Sequence, residues 1–155
     1  MSYSELLNKI KRYCMIEERC RQNVFRKLLD YGMKKEKIDI AILELVEEGF
    51  VDEKRFASSY SRGKFLINRW GKRKIQFELK KKGICNADIN QGLEEINKDN
   101  YDSALLNLLK KKNEKIKYMP KSKKKQKLIS YFLLRGFEYD VIWKNITNLE
   151  KENIL

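Results

Sequence analysis

An all-α chain of three tandem three-helix repeats is what this sequence predicts. Two observations carry that expectation. No stretch shows sustained two-residue alternation, so no strand is assigned. Three strings of similar pattern recur, FRKLLDYGM at 25–33, QFELKKKGI at 76–84 and ISYFLLRGF at 129–137. Aligned on Gly32, Gly83 and Gly136, they share apolar residues at six offsets. Eight before the glycine stand Val24, Ile75 and Leu128; four before, Leu28, Leu79 and Phe132; one after, Met33, Ile84 and Phe137. Further on come Ile38, Ile89 and Ile142, then Ile42, Leu93 and Ile146, then Leu45, Ile96 and Leu149.

The spacing has a mechanical meaning. The two upstream offsets form one stripe of a helix, and the three downstream offsets the i, i+4, i+7 stripe of another. A glycine between them fits the C′ position, where the chain turns left-handed and glycine does so at least cost. The residue after each glycine is then expected to fold back on the residue four before it. A third helix precedes each pair: Ser4 to about Glu17, Asp52 to about Asn68 with Asp52 as N-cap, and Asn100 to about Ile116. The repeats are placed at 1–50, 51–98 and 99–155. Units this small cannot bury their apolar faces alone and must stack, which favours an elongated, curved molecule.

Composition narrows the function. The 155 residues carry 35 Lys and Arg against 22 Asp and Glu, with no histidine and a formal net charge of +13. The absence of histidine removes His-based triads and the commonest metal ligand. There is no GxxxxGK[ST], no GxGxxG and no Cys/His cluster at metal spacing, so no catalytic residue, metal or cofactor is assigned. Cys14, Cys20 and Cys85 form no CxxC and fit free buried thiols in a reducing cytoplasm. The N-terminus lacks a signal-peptide core and no apolar run spans a membrane, so a cytoplasmic monomer is expected.

The charge is unevenly spread. Residues 54–83 hold eleven Lys or Arg and one acid, and residues 110–127 ten Lys and one acid. Residues 36–53 and 84–102 are acidic instead. Stacked basic helices would form a ridge able to track a phosphate backbone or an acidic protein groove. The candidate binding residues are Arg62, Lys64, Arg69, Trp70, Lys72, Arg73, Lys74, Lys80, Lys81, Lys82, Lys123, Lys124 and Lys125. Solvated lysine faces are the alternative, with Lys110–Lys112 and Lys123–Lys125 their simplest instances. Tyr60, Phe65 and Phe77 sit at helical spacing that fits a core better than base stacking. Trp70, directly before the basic GKRK string, is the surface candidate. A helix-turn-helix reading would place Asn86 to Gln91 in a major groove, but that stretch and the acids after it suit phosphates poorly.

The string VDEKRFASSYSRGKFLINRWGKRKIQFELKKKGI, residues 51–84, resembles the signature of the RecX family, regulators of the RecA recombinase. The pattern is met by Asp52, Arg55, Phe56, Ala57, Gly71, Ile75, Leu79, Gly83 and Ile84, taken as structural. The resemblance implies tandem three-helix repeats, no catalytic residues, and binding in the groove of the RecA–single-stranded-DNA filament with suppression of ATP hydrolysis and strand exchange. Direct DNA contact is a possible addition. A stand-alone helical nucleic-acid-binding protein is the competing reading.

Overall fold

The computed structural model describes all of residues 1–155. Nine helices follow one another, with no strand: α1 Tyr3–Ile16, α2 Arg21–Asp30, α3 Lys35–Glu47, α4 Glu53–Leu66, α5 Lys72–Lys81, α6 Asn86–Glu94, α7 Lys98–Lys115, α8 Lys121–Leu134 and α9 Tyr139–Lys151. None is long and apolar enough to cross a membrane.

The glycine turns form as their chemistry dictates. Gly32, Gly83 and Gly136 adopt φ of +91°, +80° and +97°. The following N–H reaches back to the carbonyl five residues earlier each time: Met33 to Leu28 at 3.0 Å, Ile84 to Leu79 at 3.2 Å and Phe137 to Phe132 at 3.0 Å. Each is a Schellman ending that satisfies carbonyls the helix cannot. Of the 18 aligned apolar positions, 17 are buried; Leu93, near the end of the short α6, is half-exposed.

The same device ends α3 and α9. Gly49 at φ +80° and Asn153 at φ +58° both lie 17 residues after a turn glycine, at corresponding places in the first and third repeats. Phe50 N–H bonds Leu45 O at 2.8 Å, and Ile154 N–H bonds Leu149 O at 3.0 Å. The second repeat has no counterpart, and α6 stops after nine residues.

The residues cluster into two compact units, one of Met1–Tyr60 with Leu79–Gly92, the other of Ser61–Glu78 with Leu93–Leu155. In the first, α2 packs on α1 and α3 around Leu6, Ile10, Val24, Leu28, Ile38 and Leu45. Asp52 caps α4 as expected, accepting from Lys54 N–H at 3.0 Å and Arg55 N–H at 3.1 Å. Arg55 then forks onto Glu18 at 2.7 and 3.1 Å and donates to Gly49 O at 2.9 Å. One guanidinium so ties the α1–α2 link and the end of α3 to α4, and the Glu18 carboxylate raises its pKa further. Phe56 and Ala57 are buried behind it.

In the second unit, α7, α8 and α9 pack pairwise. Tyr101 joins Phe65 and Phe137 at centroid distances of 5.6 and 5.3 Å, and Phe137 meets Phe132 edge-on. The Tyr101 hydroxyl accepts from Lys72 N–H at 2.9 Å and donates to the Glu138 carboxylate. Burial first, and Glu138 second, push its pKa well above the ordinary tyrosine value.

Two thiols, Cys14 and Cys20, are free and buried, and burial pushes the Cys14 pKa up to about 11. Cys85 departs from the expectation: it is free but exposed, at the start of α6 rather than on its inner stripe.

Candidate functional site

The start of α5 is built by backbone rather than by side chains. Gly71 N–H donates to Arg135 O at 2.8 Å and Arg73 N–H to Gly136 O at 2.9 Å. A Cβ on Gly71 would lie 2.2 Å from the Gly136 carbonyl carbon, and one on Gly136 would lie 2.3 Å from Lys74 Cβ. The two glycines let the first turn of α5 press against the α8–α9 turn. With Lys72 N–H on Tyr101, three successive N–H groups at the start of α5, those of Gly71, Lys72 and Arg73, are taken by protein, which leaves an anion at this helix end to be met chiefly by side chains.

Those side chains are cations. Lys64 and Lys74 hold their ammonium groups 4.8 and 4.5 Å from the Trp70 ring, on which both converge. Lys72 lies 4.9 Å over Tyr101. Arg73 and Lys74 line a groove with Phe77, Leu133 and Leu134. Phe77 is 60% and Leu134 81% exposed, so the expectation that Phe77 joins the core gives way to an apolar patch edged by cations. Phe65 is buried in the core, at 4%. Tyr60 is half-buried beside Phe56, at 5.6 Å.

Other candidates are placed differently. Arg62 pairs with Glu95 at 2.8 Å, and Lys125 with Glu150 at 2.9 Å while lying 4.1 Å over Trp143. These two are partly neutralised. Lys123 is exposed and Lys124 half-buried, in the first turns of α8. In the first unit, Lys80 and Lys81 occupy the last turn of α5, where a cation favours the helix dipole, and Lys82 lies 5.7 Å from Tyr60. Lys81 also offers its carbonyl to Gln22 at 3.3 Å.

The dipole argument separates the helices by their place in the repeat. An acid stands in the first turn of α1, α3, α4, α6, α7 and α9: Glu5, Glu36, Glu53, Asp88, Asp99 and Asp140. The middle helices α2, α5 and α8 have none and begin with Arg21, with Lys72-Arg73-Lys74 and with Lys121-Ser-Lys-Lys. Cations at a positive helix end cost about 0.3–1 kcal/mol each at exposed positions. At α2 the Glu53 carboxylate supplies the missing acid, accepting from Arg21 N–H at 3.1 Å and lying 3.8 Å from its guanidinium. At α5 and α8 the cations stand against local stability and suit an external anionic partner.

Arg69 was singled out by charge alone. The structure adds that it sits at φ +56°, the one left-handed non-glycine residue besides Asn153. It follows α4 in a wider turn than the glycine endings, with Trp70 N–H bonded to Lys64 O, six residues back, at 3.1 Å. A charged side chain stands where glycine is cheaper by about 1–2 kcal/mol.

Family models match two stretches: "RecX, second three-helix domain" over residues 52–93 and "RecX, third three-helix domain" over 99–146. The chain belongs to the RecX family. It is 34% identical over 83 residues to the regulatory protein RecX of Clostridioides difficile, covering 54% of this chain and 39% of that one. It is 31% identical over 125 residues to RecX of Chlorobium limicola, covering 79% and 76%. The matched stretch thus spans well under half of the clostridial relative and about three quarters of the chlorobial one. The fold matches the crystal structure of RecX from Lactobacillus salivarius with a TM-score of 0.85 over 96% of both chains, at 24% identity. The RecX model over 52–93 contains Arg62 through Lys82, most of the charge-selected residues.

Proposed function

We propose that this RecX-family chain regulates the RecA recombinase by lying along the RecA–single-stranded-DNA filament and suppressing ATP hydrolysis and strand exchange. Family membership supports the regulatory role. The observation that carries the surface is the cation-first start of the middle helices α5 and α8, which no first-turn acid offsets. A repeat of about 50 residues presents similar cations to successive identical subunits, and linked contacts that are weak singly gain by effective concentration. Bridging neighbours in this way opposes the subunit motion that couples ATP turnover to strand exchange. Arg73 and Lys74, with Glu78 as the one acid, flank the exposed Phe77–Leu134 patch, giving an apolar centre with a charged, mainly cationic rim, the ordinary anatomy of a protein interface.

Hydrolysis and strand exchange by RecA on single-stranded DNA test this. Inhibition is expected at well below one chain per RecA. The variant Lys72→Glu/Arg73→Glu/Lys74→Glu should keep its helicity and lose filament binding; full inhibition by it removes the ridge from the mechanism. The clustering of Lys64 and Lys74 on Trp70 gives the second reading, a nucleic-acid-binding protein independent of RecA. That reading requires tight, steeply salt-dependent binding to bare DNA with no effect on RecA.

A further inference from the structure

We propose that the cleft between α7 and α8 in the second compact unit, rimmed by Arg69, is a phosphate-binding site. Five cations line it, Arg69, Lys111, Lys112, Lys115 and Arg135, around a floor of Leu108, Tyr131 and Phe132, in a volume of about 200 Å³. No carboxylate lines it. None of the five makes an ion pair, whereas Lys11, Arg62, Lys117 and Lys125 each hold a carboxylate.

The cluster is positioned, not merely concentrated. Residues 108, 111, 112 and 115 form one helical stripe, so the three lysines rise from a single face of α7; the neighbouring acid, Glu114, lies off the cleft lining and pairs with Lys117 at 3.6 Å. Arg135 is fixed from behind, its Nη2 donating to Asn68 O and Arg69 O, and its other guanidinium nitrogens have no protein acceptor. Lys112 is held 4.3 Å over the Tyr131 ring. Arg69 reaches the rim from its left-handed backbone position. Lys112 and Lys115 stand in the last turn of α7, where the helix dipole favours a cation, but five cations without a carboxylate in one cleft repel one another, and a multiply charged anion that takes several donors at once relieves them. A phosphate group, with its tetrahedral set of acceptor oxygens, meets the Arg69 fork, the remaining guanidinium nitrogens of Arg135 and three ammonium groups better than a single carboxylate does. The aromatic floor suits a nucleoside attached to it. The phosphate can belong to a nucleic-acid strand or to a free nucleotide.

The site needs no RecA, so its test contains none and fails or succeeds apart from the filament reading. Fluorescein-labelled oligothymidylate is titrated with the full chain, with inorganic pyrophosphate as competitor, across a salt series. Lys111→Gln/Lys112→Gln/Lys115→Gln is compared with Lys98→Gln/Lys144→Gln/Lys151→Gln, three exposed lysines outside the cleft with the same change in charge. We expect a loss of at least tenfold in the first and under threefold in the second, with a shallower salt slope only in the first. Competition by pyrophosphate makes free phosphates ligands; binding of the strand without competition confines the site to the backbone. On the unaltered chain, bound strand should slow acetylation of Lys111 and Lys115 but not of Lys144. Equal losses in the two variants, or displacement of nothing but an acidic peptide, overturn the proposal.

Discussion

Replacing Gly71 by alanine adds one carbon where there is no room for it. That Cβ would stand 2.2 Å from the Gly136 carbonyl carbon, 2.2 Å from Phe137 N and 2.4 Å from Gly136 O. Carbon atoms rest at about 3.5–4 Å, so the gap must widen by more than an ångström. The obstacles are backbone and cannot swing aside. Widening breaks the bonds from Gly71 N–H to Arg135 O and from Arg73 N–H to Gly136 O, 2.8 and 2.9 Å long. Each is worth about 1 kcal/mol net, and overpacking adds about 1–3 kcal/mol. The expected loss is about 3–5 kcal/mol. Gly63, inside α4, has nothing within 4 Å of its added Cβ, and alanine there should stabilise by roughly 0.5–1 kcal/mol through helix propensity. Urea unfolding followed by far-UV circular dichroism reads both as shifts of the midpoint in opposite directions at constant slope. An unchanged midpoint for Gly71→Ala would refute the close-approach argument.

Three further outcomes are expected. Arg69→Gly should raise the urea midpoint by the equivalent of about 1 kcal/mol, by relieving the left-handed strain, while weakening oligothymidylate binding; a lower midpoint contradicts the strain. Tyr101→Phe should cost about 2 kcal/mol, because Lys72 N–H and the Glu138 carboxylate lose their shared hydroxyl; a variant as stable as the parent denies that hydroxyl its role. Cys14, raised from 9 to about 11, binds its proton longer in the native than in the unfolded chain, so its contribution is complete below pH 9 and fades as pH rises toward 11. Thermal unfolding at pH 8 and pH 10.5 should show a smaller alkaline loss in Cys14→Ala than in the parent, and equal losses would remove the thiol from the effect.

Much of the fold was legible because its instructions are local. A glycine, the apolar residue after it and the apolar residue four before it specify a helix ending without knowledge of distant chain. Asp52 announces α4 in the same way. The Asn153 ending was readable too, since it stands where the first repeat has Gly49. What stayed hidden is non-local. Gly71 shows no positive φ, so its need to be glycine arises only when residues 135–137 arrive beside it. Arg69 occupies a left-handed position that local preference assigns to glycine. Phe77 has the spacing of a core residue, but the face it shares with Leu133 and Leu134 is left uncovered. For the site, charge runs located the basic segments yet did not separate Arg62 and Lys125, which are neutralised by Glu95 and Glu150, from lysines with no acid nearby. Lys111 and Lys112 read from sequence only as instances of a solvated lysine face, and Lys115 carries no signal of its own, because a lysine run has no direction until the helix phase and the facing helix are known.

The backbone seam at Gly71 and Gly136 bears on how such a chain can be cut. Residues 61–78 complete the body formed by α7, α8 and α9, although by sequence period they belong to the preceding repeat. Severing the polypeptide at the 98/99 junction would strip that body of Phe65, of the donors that cap its turn and of Tyr101's amide partner. What the sequence repeats and what the folded molecule holds together are offset by part of a module, and dissection by sequence period alone would deliver fragments that lack their own walls.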